Sequence, residues 1–292
     1  MQLPQQLYKR KEDSHKNDFG HVFILAGSLG MTGAAILAAK SALRCGAGLV
    51  TLGLPESLVR AVASHTVEVM MLPLAETSDG TLSKTAFDKI KEFLEKSDVL
   101  LIGPGLSQNI QTQELIRKTI FESRVKTLID ADAINAWAGF LDKFKVGISC
   151  LPLDKTDFRI ITPHPGEMAR LLDVSPKNIQ NKKREVARNF AKEYNLVVVL
   201  KGYQTVVADP AGSIYVNKTG NSGMSTAGCG DVLSGIIAAL LAQGLNSFDA
   251  AKYGVYLHGL AGDLAAQEKT QLALIASDII DCIPAAIKKS IK

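Results

Sequence analysis

Apolar positions along this chain follow two rhythms. Short continuous runs alternate with segments whose apolar residues recur every three or four positions. Residues 21–26 (HVFILA) read as a buried strand ending at Gly27. Gly30, Met31, Thr32 and Gly33 then lead into an alanine-rich helix over 34–45, which Gly46 and Gly48 stop. Residues 49–54 form a second strand, closed by Pro55, and 67–74 are a third apolar run. Over 84–96, Phe87, Ile90 and Leu94 share one helical face. A strand at 98–102 runs into Gly103, Pro104 and Gly105. A helix at 110–121 and a strand at 127–129 follow, and the latter stops at Asp130, Ala131 and Asp132 before a helix over 133–140.

The second half keeps the alternation. A strand at 159–162 meets Pro163, His164, Pro165, Gly166 and Glu167, then a helix over 168–172. A charged helix spans 182–194, and five apolar residues at 196–200 predict a central strand ended by Lys201 and Gly202. Residues 205–208 and 213–216 flank Asp209, Pro210, Ala211 and Gly212, a hairpin signal. Three helices close the chain, over 232–243, 248–267 and 277–289. Strand alternating with helix predicts an α/β fold, a mostly parallel sheet with helices on both faces. No linker, low-complexity tract or repeat divides the chain, so residues 1–292 are expected to form a single domain. In such sheets ligands bind beyond the carboxyl ends of the strands. Gly27, Gly103 to Gly105, Asp130 to Asp132, His164 to Glu167 and Lys201 all fall at such ends.

One stretch stands out by its chemistry. Residues 221–231 (NSGMSTAGCGD) are small until they reach Asp231. Glycines let backbone amides approach a ligand and take positive φ. A helix start adds unpaired N–H groups and a partial positive charge. Together they form a cradle for a nucleotide phosphate or a transition-state oxyanion. A carboxylate at its mouth repels phosphate and suits a group that takes a proton. The ordinary alternative is a glycine-rich turn with Asp231 as a helix cap.

Composition narrows the reading. Hydrophobic residues make up 47% and charged residues 21%, which supports a sizeable core. The net charge of +4 is too mild to predict a nucleic-acid partner, and no apolar stretch is long enough to predict a membrane span. Residues 1–18 lack the apolar core of a secretory signal, so a cytoplasmic location is expected. Cys45, Cys150, Cys229 and Cys282 have neither metal-ligand nor redox spacing. There is no GxxxxGK[ST], and Gly27, Gly30 and Gly33 are spaced GxxGxxG rather than GxGxxG, which disfavours P-loop and Rossmann proteins. GxSxG is also missing.

Other strand-end residues carry two readings each. Asp130 and Asp132 suit magnesium or a helix cap. His164, held between two prolines, is placed to donate to phosphate or sugar oxygens, or is a loop histidine. Glu167 suits a metal-bound water or a helix-start acid. Lys201 suits a phosphate or is a strand-end lysine that snorkels. Cys229 is a small filler with no histidine partner visible in sequence.

Residues 219–235, with Gly230 and Asp231 at their centre, resemble the signature of the ribokinase-like superfamily. The segments Gly27–Ser28, Thr32 to Ala35, Cys45 to Val50, Gly103 to Leu106, Asp130 to Ala133, Thr162 to Glu167 and Leu200 to Gly202 appear in the order of one family within it. That family is the ADP- or ATP-dependent NAD(P)H-hydrate dehydratases. Ser222, Ser225 and Cys229 replace residues common in the family but stay small. The resemblance implies a ribokinase-like three-layer α/β/α fold. It implies nucleotide-dependent dehydration of the S epimer of hydrated NADH or NADPH, with release of phosphate. Asp231 is then the catalytic base. Lys201, Gly202, Tyr203, Gln204, Thr205, Asn221, Gly223, Thr226, Gly228 and Gly230 hold ADP or ATP. Ala35, Gly105 and His164, with Asp231, hold the hydrated dinucleotide, and Glu167 helps place Mg2+. The family further suggests homo-oligomers, tetramers in particular. Some members carry a fused epimerase domain, which is not expected within these 292 residues. Two other readings stay open: a thiazole or pyrimidine kinase of the same superfamily, and a non-catalytic nucleotide-binding regulator. An acid facing phosphate argues against the regulator.

Overall fold

A computed structural model describes residues 1–144 and 159–291 of the chain. Cys150 lies outside the described residues. The strands are β1 (His21–Leu25), β2 (Leu49–Pro55), β3 (Met70–Leu74), β4 (Val99–Ile102), β5 (Lys126–Ile129), β6 (Arg159–Ile161), β7 (Val197–Leu200), β8 (Val206–Ala208) and β9 (Ile214–Val216). They form one sheet in the order β3-β2-β1-β4-β5-β6-β7-β8-β9. Pairing is parallel from β3 through β7 and antiparallel from β7 to β9. The hairpin β8–β9 turns at Asp209, whose Oδ1 accepts from the Ser213 amide at 2.7 Å.

The strands are mostly apolar because both faces are covered. In β1, Val22 and Ile24 face one buried cluster while Phe23 and Leu25 face another. The first cluster lies under α1 (Thr32–Arg44), α9 (Cys229–Ala242), α10 (Ser247–Ala273) and α11 (Ala276–Ser290). The second lies under α3 (Phe87–Leu94), α4 (Ile110–Glu122), α5 (Asp132–Asn135), α6 (Pro165–Leu172) and α8 (Lys183–Tyr194). Two short helices, α2 (Val59–Ala63) and α7 (Pro176–Asn181), complete the described set. The result is the expected three-layer α/β/α arrangement.

Helix α9 is apolar on nearly all sides because it is sandwiched. At Gly235 its backbone comes so close to α1 that an added Cβ would sit 2.0 Å from Ser41 Oγ and 2.2 Å from the Ala38 carbonyl oxygen. That close approach fixes where α9 begins relative to the sheet. Two helix boundaries depart from expectation. The helix expected over 133–140 is only α5, because Ala131 enters it at φ 49° and turns follow it. The helix expected over 248–267 runs on to Ala273, although Thr270 (φ 69°) breaks its geometry. The last helix, α11, contains Pro284.

The carboxyl ends of the central strands are tied together rung by rung. The amides of Gly103, Asp130, Thr162 and Lys201 donate to the carbonyls of Leu25, Ile102, Ile129 and Pro163 respectively. Gly103 sits at φ 130°, and a Cβ there would lie 1.7 Å from the Asp130 carbonyl oxygen. Gly103→Ala is therefore expected to lower the unfolding free energy by about 2 kcal/mol or more, from overpacking and backbone strain together. Urea unfolding of the variant against the wild type measures it. A loss below about 0.5 kcal/mol would show that the rung is not tight.

Candidate active site

Helix α9 starts three residues before its apolar run. Its N-cap is Gly228, in the left-handed conformation at φ 89°, so Asp231 is not the cap but the third residue of the helix. Glycine is required at 228 on two counts. Other residues resist that φ, and a Cβ would lie 2.5 Å from Leu37 Cδ1 on α1. The amides of Cys229, Gly230 and Asp231 fall in the first turn, where no preceding helical carbonyl exists to accept from them. Gly230 itself is helical, and a Cβ there would meet only Lys201 Nζ, at 3.5 Å. The demanding glycine of the cradle is Gly228.

The strand ends bring charge to this helix start. Lys201 Nζ donates to Asp130 Oδ1 at 2.8 Å and lies 3.8 Å from Glu167 Oε2. Asp130 is 1% exposed, and its second oxygen accepts from the Ser234 hydroxyl on α9. Glu167 is 5% exposed and its Oε2 accepts from the His164 amide at 2.7 Å. The His164 ring reciprocates: Nδ1 accepts from the amides of Gly166 at 2.9 Å and Glu167 at 3.2 Å. This reciprocal cap starts α6 with Pro165 at its first position. It also sets the tautomer: with Nδ1 accepting, the neutral ring of this half-exposed side chain carries its proton on Nε2, 3.5 Å from Glu167 Oε1.

Burial and the crowd of carboxylates set the protonation states. Burial pushes the Asp231 carboxyl up to about 7, the negative field of Asp130 adds to this, and the Lys201 ammonium opposes it. Glu167 is likewise pushed up to about 7 by burial, against the pull of Lys201. For Asp130, burial alone would raise the carboxyl; the Lys201 ammonium and the Ser234 and Thr162 hydroxyls outweigh it and hold it below the usual range. Burial depresses Lys201, but Asp130 and Glu167 more than compensate, so the amine stays charged. Burial and the nearby ammonium lower the His164 ring, which is neutral at pH 7. Asp231 is thus poised to gain or lose a proton near neutrality, beside a fixed positive charge.

A cavity of about 790 Å³ opens beside this cluster. His164, Lys201, Gly202, Tyr203, Gln204, Thr205, Asn221, Thr226 and Gly230 line it. Of the residues expected to hold nucleotide, Gly223 and Gly228 do not line it; they shape its wall. Gly223 donates its amide to Asn221 Oδ1 at 3.0 Å, and a Cβ on it would strike the Gln271 carbonyl at 2.6 Å. The Asn221 amide group is itself spent on the Gly262 carbonyl and Asp263, at 3.0 Å each. Tyr203 is 91% exposed at the rim. Lys183 Nζ clips the turn behind it, donating to the Tyr203 carbonyl at 2.9 Å.

Ala35 and Gly105 lie in a separate, buried wall of the fold at the ends of β1 and β4, where the strand order reverses; neither lines the cavity. Ser28 Oγ donates to the Gly105 carbonyl at 2.8 Å, and the Gly27 amide donates to Pro104. Cβ positions built on Gly27 and Gly105 fall 3.2 Å from Ala35 and 3.0 Å from Ala34, so this wall is backbone-lined and close-packed. Asp132, whose Oδ2 accepts from the Ser107 amide at 2.9 Å, joins this wall to the carboxylate cluster.

Among the described residues no group of three or more His, Cys, Asp or Glu side chains is arranged to hold a metal ion alone. Glu167, the carboxylate expected to help place Mg2+, has its Oε2 at the His164 amide and 3.8 Å from Lys201 Nζ.

Several residues escaped sequence reasoning. Asp263 accepts from the Gly220 amide at 2.9 Å and pins the loop; Asn217 bonds Val255 and Thr219; Ser234 reaches Asp130. A signal existed for the first: Gly259 and Gly262, three apart inside a helix, mark a close approach, and Cβ atoms there would strike Thr219 Oγ1 and Met224 Sδ at 2.3 Å each. Cys45, Cys229 and Cys282 are free and buried, and burial pushes the Cys229 thiol up to about 11, so it is unreactive filler.

A family model described as NAD(P)H-hydrate dehydratase matches residues 22–285. A bifunctional NAD(P)H-hydrate repair enzyme of Moorella thermoacetica is 45% identical over 283 residues, 97% of this chain and 52% of that protein. This chain therefore spans about half the length of that relative. An ADP-dependent (S)-NAD(P)H-hydrate dehydratase of Neisseria meningitidis is 35% identical over 266 residues, 90% of this chain and 83% of that one. Among solved structures, an ADP/ATP-dependent NAD(P)H-hydrate dehydratase of Bacillus subtilis, co-crystallised with ATP and Mg2+, aligns with a TM-score of 0.79 at 29% identity. It covers 99% of this chain and 95% of that one. A hydroxyethylthiazole kinase of Pyrococcus horikoshii aligns at a TM-score of 0.60 and 12% identity, a likeness of fold alone. Among the described residues no helix is long and apolar enough to cross a membrane.

The raised Asp231 carboxyl has a stability consequence. Its folded value of about 7 exceeds the ordinary 3.8, so the native state binds the extra proton between those values. Stability conferred by that proton is present at low pH and lost as pH rises toward 7. Asp231→Asn removes the ionisation and should stabilise the protein at pH 8 by ~2 kcal/mol, and hardly at all below pH 4. Denaturant titrations at both pH values test this. An equal gain at both would place the carboxyl at its ordinary value.

Proposed function

The chain belongs to the NAD(P)H-hydrate dehydratase family, and from that premise we propose that it returns the S epimer of hydrated NADH or NADPH to the reduced cofactor, using ADP or ATP. The observation that carries the proposal is the position of Asp231. A carboxyl poised near neutrality lies in the first turn of α9, whose free amides and neighbouring ammonium face a nucleotide-sized cavity.

Hydration adds a proton and a hydroxyl across a ring double bond of the dihydronicotinamide, and the hydroxyl sits on a carbon bonded to the ring nitrogen. Asp231 takes the hydroxyl proton. The oxygen attacks the terminal phosphoryl group, and its bond to the next phosphate breaks, releasing AMP from ADP or ADP from ATP. The first-turn amides of α9 and the Lys201 ammonium neutralise the charge on the phosphoryl oxygens. The ring nitrogen's lone pair then expels inorganic phosphate. Loss of a proton from the adjacent ring carbon restores the double bond. Glu167 would help to hold a Mg2+ ion bound with the nucleotide, which would supply further charge neutralisation.

The nucleotide occupies the cavity between the turn at 202–205 and the loop at 217–226. The hydrated dinucleotide lies over Ala35 and Gly105, with the His164 Nε2 proton donating to its phosphate or sugar oxygens. Asp231 sits where the two meet. A kinase of the same fold shares the first step, but its acceptor alcohol lacks the adjacent nitrogen and keeps its phosphate. The single ribokinase-like domain over 1–292, the cytoplasmic location and the homo-oligomer belong to this proposal.

Incubation of the protein with hydrated NADH and ADP or ATP should restore reduced-nicotinamide absorbance. Phosphorus NMR should show inorganic phosphate and the shortened nucleotide in equal amounts. Asp231→Asn should lower kcat by about 10²–10⁴-fold with nucleotide affinity little changed. For the wild type, kcat/KM should rise with pH through about 7, as the free carboxyl ionises. An accumulating phosphate monoester without absorbance return would identify a kinase instead. A third of wild-type activity in Asp231→Asn would remove it as the base.

His164→Ala should raise KM for the hydrated cofactor by roughly tenfold and that for the nucleotide by less, since one hydrogen bond to the dinucleotide is lost. Steady-state kinetics with each substrate varied in turn measures the two. The opposite ranking would move His164 to the nucleotide.

A further inference from the structure

Lys201 is an ammonium with three donors and one short bond, and what it bonds to matters. Asp130 Oδ1 takes one donor at 2.8 Å. Glu167 Oε2, at 3.8 Å, is near enough to attract but too far to accept a hydrogen bond. The other two donors have no hydrogen-bonding acceptor among the described residues, and the side chain lines the nucleotide cavity. We propose that Asp130 and Ser234 are positioning residues, which hold the Lys201 ammonium at the start of α9 with its two remaining donors turned to the nucleotide's phosphates. The inference rests on the nucleotide-dependent reading above and deepens it.

The geometry that carries it is a chain of fixed contacts through three elements. Asp130 cannot turn away. Its amide donates to the Ile102 carbonyl, its own carbonyl packs against Gly103, and its carboxylate is 1% exposed. One carboxylate oxygen faces Lys201, after β7. The other accepts from Ser234 Oγ, one turn along α9 from Gly230. The Ser234 hydroxyl also lies 3.0 Å from the Gly230 carbonyl, but its single proton favours the charged acceptor. A single buried carboxylate thus sets the distance between the ammonium and the amides that face the same ligand. The alternative partners show why this matters. Glu167 and Asp231 both lie within the electrostatic reach of Lys201. An ammonium released from Asp130 would settle on one of them, leaving the phosphates unattended and occupying the base.

The test is a double-mutant cycle on the full chain. Asp130→Asn should lower kcat by roughly 10²-fold, and Ser234→Ala by roughly tenfold. In a Lys201→Met background neither change should lower it further, because both act through Lys201. Losses that multiply in full would overturn the proposal, as would a wild-type kcat in Asp130→Asn. Where Lys201→Met does not fold, Ser234→Ala carries a second test, since it removes one oxygen. Calorimetry should find ADP weakened by roughly tenfold and adenosine unchanged. Equal weakening of both would signify a merely structural serine and sink the idea. A wild type that neither binds ADP or ATP nor returns the reduced cofactor would overturn the dehydratase reading. A wild type that does both, with Asp130→Asn and Ser234→Ala unimpaired, would overturn only this inference.

Discussion

A lysine ammonium buried among carboxylates is the constraint on which this structure turns. Removing such a charge from water is costly unless a partner is fixed beside it. Here the partner is Asp130, itself almost fully buried. The pair joins the end of β5 to the end of β7 across the intervening β6. Its second oxygen reaches α9 through Ser234. One ion pair therefore couples two strand ends and the start of the helix that presents the cradle.

The helix can meet that pair because packing far from the chemistry allows it. Gly235 lets α9 lie against the α1 backbone, and Gly228 lets the chain turn into α9 beneath Leu37. On the far side, Asp263 holds the Gly220 amide and Gly262 admits Met224, which sets the loop that walls the cavity. Small residues at these contacts give the site its precision, because backbone against backbone leaves little room for adjustment. The acids then take their character from the same compactness. Burial raises Asp231 and Glu167, whereas contact with the ammonium keeps Asp130 ionised. Acids of ordinary intrinsic strength thus acquire two different roles from position alone.

The two walls of the site have different construction. The cavity wall is made of side chains and turns such as the one bearing the exposed Tyr203, clipped from behind by Lys183. The wall formed by Gly27, Ala35 and Gly105 is close-packed, buried backbone at the strand-order reversal. Asp231 and His164 stand where the walls meet the carboxylate cluster.

The sequence by itself determined the alternation of strand and helix, the parallel sheet, the β8–β9 hairpin and the line of candidate groups at strand ends. Those features depend on local periodicity and turn chemistry, which any short window of residues carries. It also marked Asp231, His164, Glu167 and Lys201 as residues of interest. Only the tertiary structure decided their states and partners. Nothing near Asp130 in sequence announces Lys201, 71 residues away, or Ser234, 104 residues away. The true start of α9 was hidden because Gly228 caps it by conformation rather than by a side chain, so a cap stayed open as the alternative reading of Asp231. Gly223 and Asn221 read as ligand contacts from sequence; the structure bonds the Gly223 amide to Asn221 and the Asn221 side chain to Gly262 and Asp263 on α10. The physical reason is common to all of these: hydrogen bonds, burial and electrostatic fields depend on distance in space, and sequence spacing fixes that distance only within a helix, a strand or a turn.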